Sequence, residues 1–139
     1  MSSIFSKIIA GELPGHFVWR DEQAVAFMTI APIVPGHLLV VPVQEIDHWD
    51  DLPVDLANHC FAVARTITKA QKSVYDCQRV ALQIIGLEVP HTHLHLIPIN
   101  TMDEANIARA KPAEAAELAA EAEKLRAALI NAGHAEANL

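Results

Sequence analysis

The spacing of apolar and polar positions changes several times along this chain of 139 residues. Ile4, Phe5, Ile8 and Ile9 recur at helical spacing behind Ser2 and Ser3, either of which can cap, and Gly11 with Pro14 closes the segment. A short N-terminal helix is expected there. Two extended runs follow, Phe17 to Trp19 and Ala24 to Ile30, and the polar stretch Arg20-Asp21-Glu22-Gln23 between them suits a hairpin turn. His37 to Val41, held between Pro35-Gly36 and Pro42, reads as a third strand. From Pro53 the period lengthens, with Leu56, Cys60, Val63, Ile67, Ala70 and Val74 falling on one helical face. That predicts a long amphipathic helix from Pro53 to about Tyr75, with Asp50 or Asp51 as its cap. Its narrow stripe fits packing on a sheet or, alternatively, a dimer seam. Val80 to Ile85 and Thr92 to Ile99 read as fourth and fifth strands, broken by Gly86 and Pro90. Residues 1–100 are therefore taken as the main domain. Residues 101–139 are taken as a polar connector, Thr101 to Lys111, and a helix from Pro112 that Gly133 can end. Only Leu118, Leu125, Leu129 and Ile130 give that helix an apolar side, so light docking on the same domain is expected.

Composition narrows the class. A chain 52% hydrophobic, with five Gly and eight Pro, has the apolar content of one globular domain rather than of a disordered or collagen-like segment. Its apolar runs, such as Leu38 to Val41, fall far short of the roughly 20 residues a membrane span needs. Lys7 interrupts the apolar residues at the N-terminus, which does not read as a secretory leader, so a cytoplasmic protein is expected. Cys60 and Cys77 lack metal or redox spacing and read as core thiols. The net charge is −7, from 10 basic against 17 acidic residues, and the basic ones are scattered. Long nucleic acid is therefore not an expected partner, although a single nucleotide remains compatible.

The chemistry concentrates in His91-Thr92-His93-Leu94-His95-Leu96, where three imidazoles alternate with residues suited to a core. On a strand this spacing puts histidine on one face and apolar groups on the other. One metal ion is a poor match for all three, because His91 and His95 lie about 13 Å apart on an extended strand. A row of imidazoles suits an extended anion better, one ring attacking as nucleophile while neighbours donate hydrogen bonds to developing charge. Their near-neutral pKa lets adjacent rings hold different protonation states. His16, His48, His59 and His134 read as surface or packing residues, with His48, beside Asp47, held in reserve as a metal ligand.

At this point the sequence resembles the histidine triad (HIT) family of nucleotide hydrolases and transferases. His91-Thr92-His93-Leu94-His95-Leu96-Ile97 is similar to its signature, with Thr92 the one weakly apolar member. Ser3 to Ile9 with Glu12-Leu13-Pro14 resembles the family's opening helix, Ala26 to Ile30 its second strand and Pro35 to Pro42 its third. The resemblance covers roughly residues 3 to 98. It implies an α+β fold with a five-stranded antiparallel sheet, a homodimer, and a nucleoside monophosphate moiety bound at the triad without cofactor or catalytic metal. His93 corresponds to the family's nucleophile, which forms a transient nucleotidyl-histidine. His95 corresponds to the residue that hydrogen-bonds phosphate and leaving group, and His91 and His37 to supporting imidazoles. By the same similarity Phe5, Ile8, Phe27 and Ile30 form the base and ribose cleft. With no Arg or Lys in the motif, imidazoles and backbone N–H groups have to meet the transition-state charge, and Gly86 is the position expected to allow that close approach.

Three departures bear on substrate. Thr29 stands where many members have an acidic residue for the ribose hydroxyls. Leu87 and Glu88 stand where a polar residue and a small hydroxyl are common near the phosphate, and a carboxylate about 4 Å from a phosphate is repulsive. Ser3 and Ser6 replace a Cys-x-x-Cys that helps some bacterial members hold zinc. Two alternatives follow: a nucleotide-binding sensor without turnover, or a metal-binding protein using His91, His93 and a further ligand.

Overall fold

The computed structural model describes residues 2–139, so whatever part of the N-terminal expectation falls on Met1 lies outside the described residues. Ser3 caps α1 (Ile4–Ile9) by accepting the Ser6 N–H at 3.0 Å. The hairpin is β1 (Phe17–Arg20) and β2 (Ala24–Met28), its turn closed by Asp21, whose Oδ1 accepts the N–H groups of Gln23 and Ala24. β3 (Leu38–Pro42), α2 (Val54–Val74), β4 (Arg79–Gln83), β5 (Leu94–Ile99) and α3 (Ala115–Asn131) complete the chain. The strands form one antiparallel sheet in the order β1-β2-β3-β5-β4, an α+β architecture.

Strand alternation divides the core into two layers. Ala24, Ala26, Met28, Leu38, Val40, Leu94 and Leu96 face α2 and α3. Val25, Phe27, Leu39 and Val41 face the other way, onto Phe5 and Ile8 of α1. A register shift between Phe17 and Trp19 turns both Val18 and Trp19 toward the α2/α3 layer while Phe17 stays on the α1 side. On the α1 side the pairing runs Phe17, Phe27, Leu39, His95 and Gln83 from strand to strand, so His95 lies on the face that α1 covers.

Several expected boundaries shift for physical reasons. Neither Asp50 nor Asp51 caps α2. Both lie in a separate 3₁₀ turn, Trp49–Asp51, and Pro53 occupies the cap position because a residue before proline is held extended. The stripe of α2 faces the sheet, with Leu56, Cys60, Val63, Ile67 and Ala70 buried in the core, which accounts for it without a dimer seam. Cys60 is buried and Cys77 half-buried, and both thiols are free. The last helix starts at Ala115, later than Pro112, and is more than lightly docked: Leu118, Ala122, Leu125 and Leu129 enter the main core, although Ile130 is left exposed. Ala122 carries no hydrophobic bulk to draw notice, yet its small side chain is what fits a helix against a sheet. Gly133, with φ of 94°, ends α3 in a Schellman motif, its N–H on Ile130 O and that of His134 on Leu129 O.

Gly36, immediately before His37, has φ of 89°, and a Cβ there would fall 2.3 Å from Cε2 of Tyr75. The Tyr75 ring is held by its hydroxyl donating to Glu121 at 2.7 Å, so it cannot simply swing aside. Gly36→Ala is expected to lower unfolding free energy by about 2–4 kcal/mol, measured by urea denaturation.

Candidate functional site

Backbone carbonyls and N–H groups fix what each imidazole can do, because a carbonyl only accepts and an N–H only donates. The Ile33 N–H donates to His37 Nδ1 at 3.1 Å, which leaves the His37 proton on Nε2. That Nε2–H donates to His95 Nδ1 at 2.9 Å, so neutral His95 carries its proton on Nε2. His93 donates its Nδ1–H to the His91 carbonyl at 2.7 Å and keeps a lone pair on Nε2. His91 donates Nε2–H to the Pro42 carbonyl at 2.8 Å and accepts the Ser3 hydroxyl on Nδ1 at 2.7 Å. Neither Nε2 of His93 nor Nε2 of His95 has a partner among the described residues, and neither is fully enclosed. One face of the site thus offers a nitrogen lone pair beside an N–H donor, with the two rings 5.0 Å apart.

Burial keeps these rings neutral. It lowers His37 to about 3, with the neighbouring His95 adding to the effect, and lowers His95 to about 4, with His93 adding. Burial also lowers His91 and His93, against opposing hydrogen bonds to the Pro42 and His91 carbonyls. Unprotonated His93 is the form that can attack an electrophile.

The triad is not wholly on a strand. Only His95 lies within β5, and His91 and His93 precede it. There the chain leaves the sheet to bond elsewhere, Thr92 giving both its N–H and its hydroxyl to the Ile46 carbonyl at 2.8 and 2.7 Å. All six residues from His91 to Leu96 are buried, but on different sides, with Leu94 and Leu96 entering the α2/α3 core and His95 on the face that α1 covers.

Of the residues taken as a binding cleft, Phe5, Ile8 and Phe27 share one buried cluster. The Phe5 ring meets His93 edge-on at 4.8 Å and Phe27 at 5.6 Å. Ile30 is 68% exposed and Leu87 91% exposed, so neither belongs to that cluster. Thr29 is half-buried, and its hydroxyl oxygen accepts the Ala31 N–H at 3.3 Å. Gly86 has φ of 75° with open space where a Cβ would be. Glu88 is exposed, and its negative charge raises the His93 pKa slightly against the larger lowering by burial. His59 pairs with Asp21 at 2.8 Å and His134 packs on Trp19 at 5.7 Å. His48 is exposed beside Asp47.

Three contributors escape a reading of the sequence. Gln71, fully buried on α2, donates to the carbonyls of Gly36 and Leu96 at 3.0 and 3.2 Å, tying the approach to His37 to β5. Its signal was a polar residue one turn after Ile67 on the apolar stripe. Gln83 pairs with His95 across the sheet, and Glu45 bonds to Ser3 and Ser6. Those contacts span too many residues to be marked by local spacing.

A zinc ion does not fit the serine positions. Neutral hydroxyls are not usual zinc ligands, both nitrogens of His91 are committed within the protein, and no group of three or more His, Cys, Asp or Glu among the described residues is placed to hold a metal. The same commitment of His91 removes it from any metal site shared with His93.

A five-stranded antiparallel sheet with three imidazoles at alternate positions, two just ahead of β5 and one on it, defines a class. The model of the HIT domain matches residues 10–102, and the chain belongs to the HIT family. It is 38% identical over 99 residues to an uncharacterised HIT-like protein of Methanocaldococcus jannaschii, covering 68% of this chain and 77% of that one. It is 36% identical over 104 residues to a purine nucleoside phosphoramidase of Escherichia coli K12, covering 68% and 85%. The solved structure of a Zn-bound histidine triad family protein from Mycobacterium smegmatis superposes with a TM-score of 0.83 at 25% identity, covering 98% of this chain and 99% of that one. No helix among the described residues is long and apolar enough to cross a membrane.

Proposed function

We propose that this protein cleaves nucleoside phosphoramidates, or related nucleotides with a leaving group on the α-phosphate, through a covalent intermediate on His93. The observation that carries the reading is the set of proton positions: His93 has a lone pair on Nε2 and His95 an N–H on Nε2, side by side. Kinship with a purine nucleoside phosphoramidase supports that substrate class.

In the first step His93 Nε2 bonds to the α-phosphorus and the bond from phosphorus to the leaving group breaks. The leaving amine departs with a proton from solvent, while His95 donates a hydrogen bond to the phosphate or the departing atom. Positive charge develops on the His93 ring, and the His91 carbonyl at Nδ1 meets it. Water then attacks phosphorus and gives a proton to solvent as the bond from phosphorus to His93 Nε2 breaks, releasing the monophosphate and restoring neutral His93. Phe5, Ile8, Phe27, Thr29, Ile30, Gly86, Leu87 and Glu88 are proposed as the nucleotide-facing set. Gly86 leaves room for the phosphate, and Phe5 and Phe27 give the base an apolar wall. The unpaired thiols fit a cytoplasmic setting.

Assaying adenosine and guanosine phosphoramidates, dinucleoside polyphosphates and nucleotide sugars for monophosphate release tests the reading. Phosphoramidates are expected to turn over best. Nucleotide binding with no release from any compound selects the sensor instead, a reading motivated by Thr29, Leu87 and Glu88 standing where the family commonly has other residues.

A homodimer belongs to the same proposal. β4 is an edge strand, and Leu82 on it and Phe61 on α2 are large exposed apolar residues near one another. Light scattering after size exclusion should give twice the chain mass, and Phe61→Glu combined with Leu82→Lys should give the monomer. A wild-type monomer at micromolar concentration removes the dimer.

A further inference from the structure

The geometry points to Glu45 as a positioning residue for the nucleophile, acting through Ser3 and Ser6 on His91. This inference rests on the proposed role of His93. Glu45 lies in the segment after β3, exposed, and among the described residues it has no cationic partner. One oxygen, Oε1, accepts both the Ser3 N–H and the Ser6 hydroxyl, each at 2.7 Å. These bonds hold its carboxyl below the usual range.

The consequences reach the site along two routes. Along the first, Ser3 is buried and gives its hydroxyl proton to His91 Nδ1 while its oxygen receives the Ser6 N–H. His91 is thereby fixed in the tautomer that donates to the Pro42 carbonyl, and its own carbonyl is the group that holds the His93 Nδ1–H. Along the second, Glu45 fastens the first turn of α1 to the β3 segment, and α1 carries Phe5, whose ring lies against His91 at 5.9 Å and His93 at 4.8 Å. The segment from Pro42 to Ile46 thus grips both sides of the nucleophile. Pro42 and Ile46 carbonyls hold His91 and Thr92, and Glu45 holds the helix above them.

Hydrogen-bond acceptance, rather than charge, is what this role needs. A glutamine keeps an oxygen for both donors, whereas alanine leaves the Ser3 N–H and Ser6 hydroxyl unheld. Glu45→Ala is expected to lower kcat by about tenfold or more with KM within about twofold, because a misplaced nucleophile slows chemistry without weakening ground-state binding. Glu45→Gln should stay within about threefold of wild type. Side-chain nitrogen NMR gives a readout independent of turnover. Wild type should show His91 protonated on Nε2 only and His93 on Nδ1 only. In Glu45→Ala the His91 and His93 signals should broaden or shift toward a tautomer mixture, and in Glu45→Gln they should not.

Wild-type kcat together with an unchanged imidazole spectrum in Glu45→Ala overturns the proposal. Equal loss of kcat in both variants with unchanged spectra also overturns it, since charge and not position is then the cause. Should wild type release no monophosphate, the proposed chemistry of His93 fails, and the imidazole spectra alone decide the role of Glu45.

Discussion

His93→Ala is expected to lose monophosphate release by a factor of about 10³ or more while keeping the fold. The size of the effect follows from the proton arrangement. No neighbouring ring can replace His93, because His37 has one nitrogen on the Ile33 N–H and the other on His95, and both nitrogens of His91 are bonded to Ser3 and Pro42. His95 has its remaining nitrogen protonated, which makes it a donor and not a nucleophile. Folding should survive, since the lost side chain touches the site through one hydrogen bond to a backbone carbonyl and ring contacts with Phe5 and His95. Circular dichroism and the urea midpoint check the fold, and steady-state release checks the chemistry. A variant within tenfold of wild type contradicts the assignment of His93.

Acid should destabilise this protein well before its carboxylates titrate. His37 and His95 have folded pKa values of about 3 and about 4, against 6.5 for the unfolded chain. Above pH 6.5 both states bind no proton at these rings and the contribution of neutral burial is complete. Below it the unfolded chain takes up protons that the folded one refuses, so stability falls with pH until the folded pKa values are reached. Each such ring costs about 1.4 kcal/mol per pH unit in that window. Two of them remove about 4 kcal/mol between pH 7.5 and pH 5, a large part of the 5–15 kcal/mol typical of a domain. His91 and His93, lowered in the same direction, add to the loss. Urea denaturation at pH 7.5 and pH 5 measures it directly. Equal unfolding free energies at the two values show that the rings are not buried as neutral groups.

The parts of this picture that local spacing carries were open to reading from the sequence. The continuous apolar runs Ala24 to Met28 and Leu38 to Val41 mark strands covered on both faces, and the stripe on α2 reports which face of the helix meets the core. The histidine triad is legible for the same reason, three imidazoles at alternate positions being a local pattern. Cap and boundary errors came from competition between local rules, as at Leu52-Pro53, where the restriction before proline outweighed the capping preference of Asp50 and Asp51. What no local pattern shows is contact between distant segments. Ser3 reaches His91 across 88 positions and Glu45 across 42, so the grip on the nucleophile exists only once the sheet has brought β3, β5 and α1 together.

The covalent role of His93 is tested most directly by mixing the protein with a stoichiometric adenosine phosphoramidate, quenching within milliseconds and measuring its mass. A fraction of chains heavier by one nucleotidyl group, with the added mass on the peptide containing His93 and absent in His93→Ala, is the predicted result. Rapid monophosphate release with no adduct at any time, and an oxygen from bulk water incorporated in a single step with inversion at phosphorus, contradicts it.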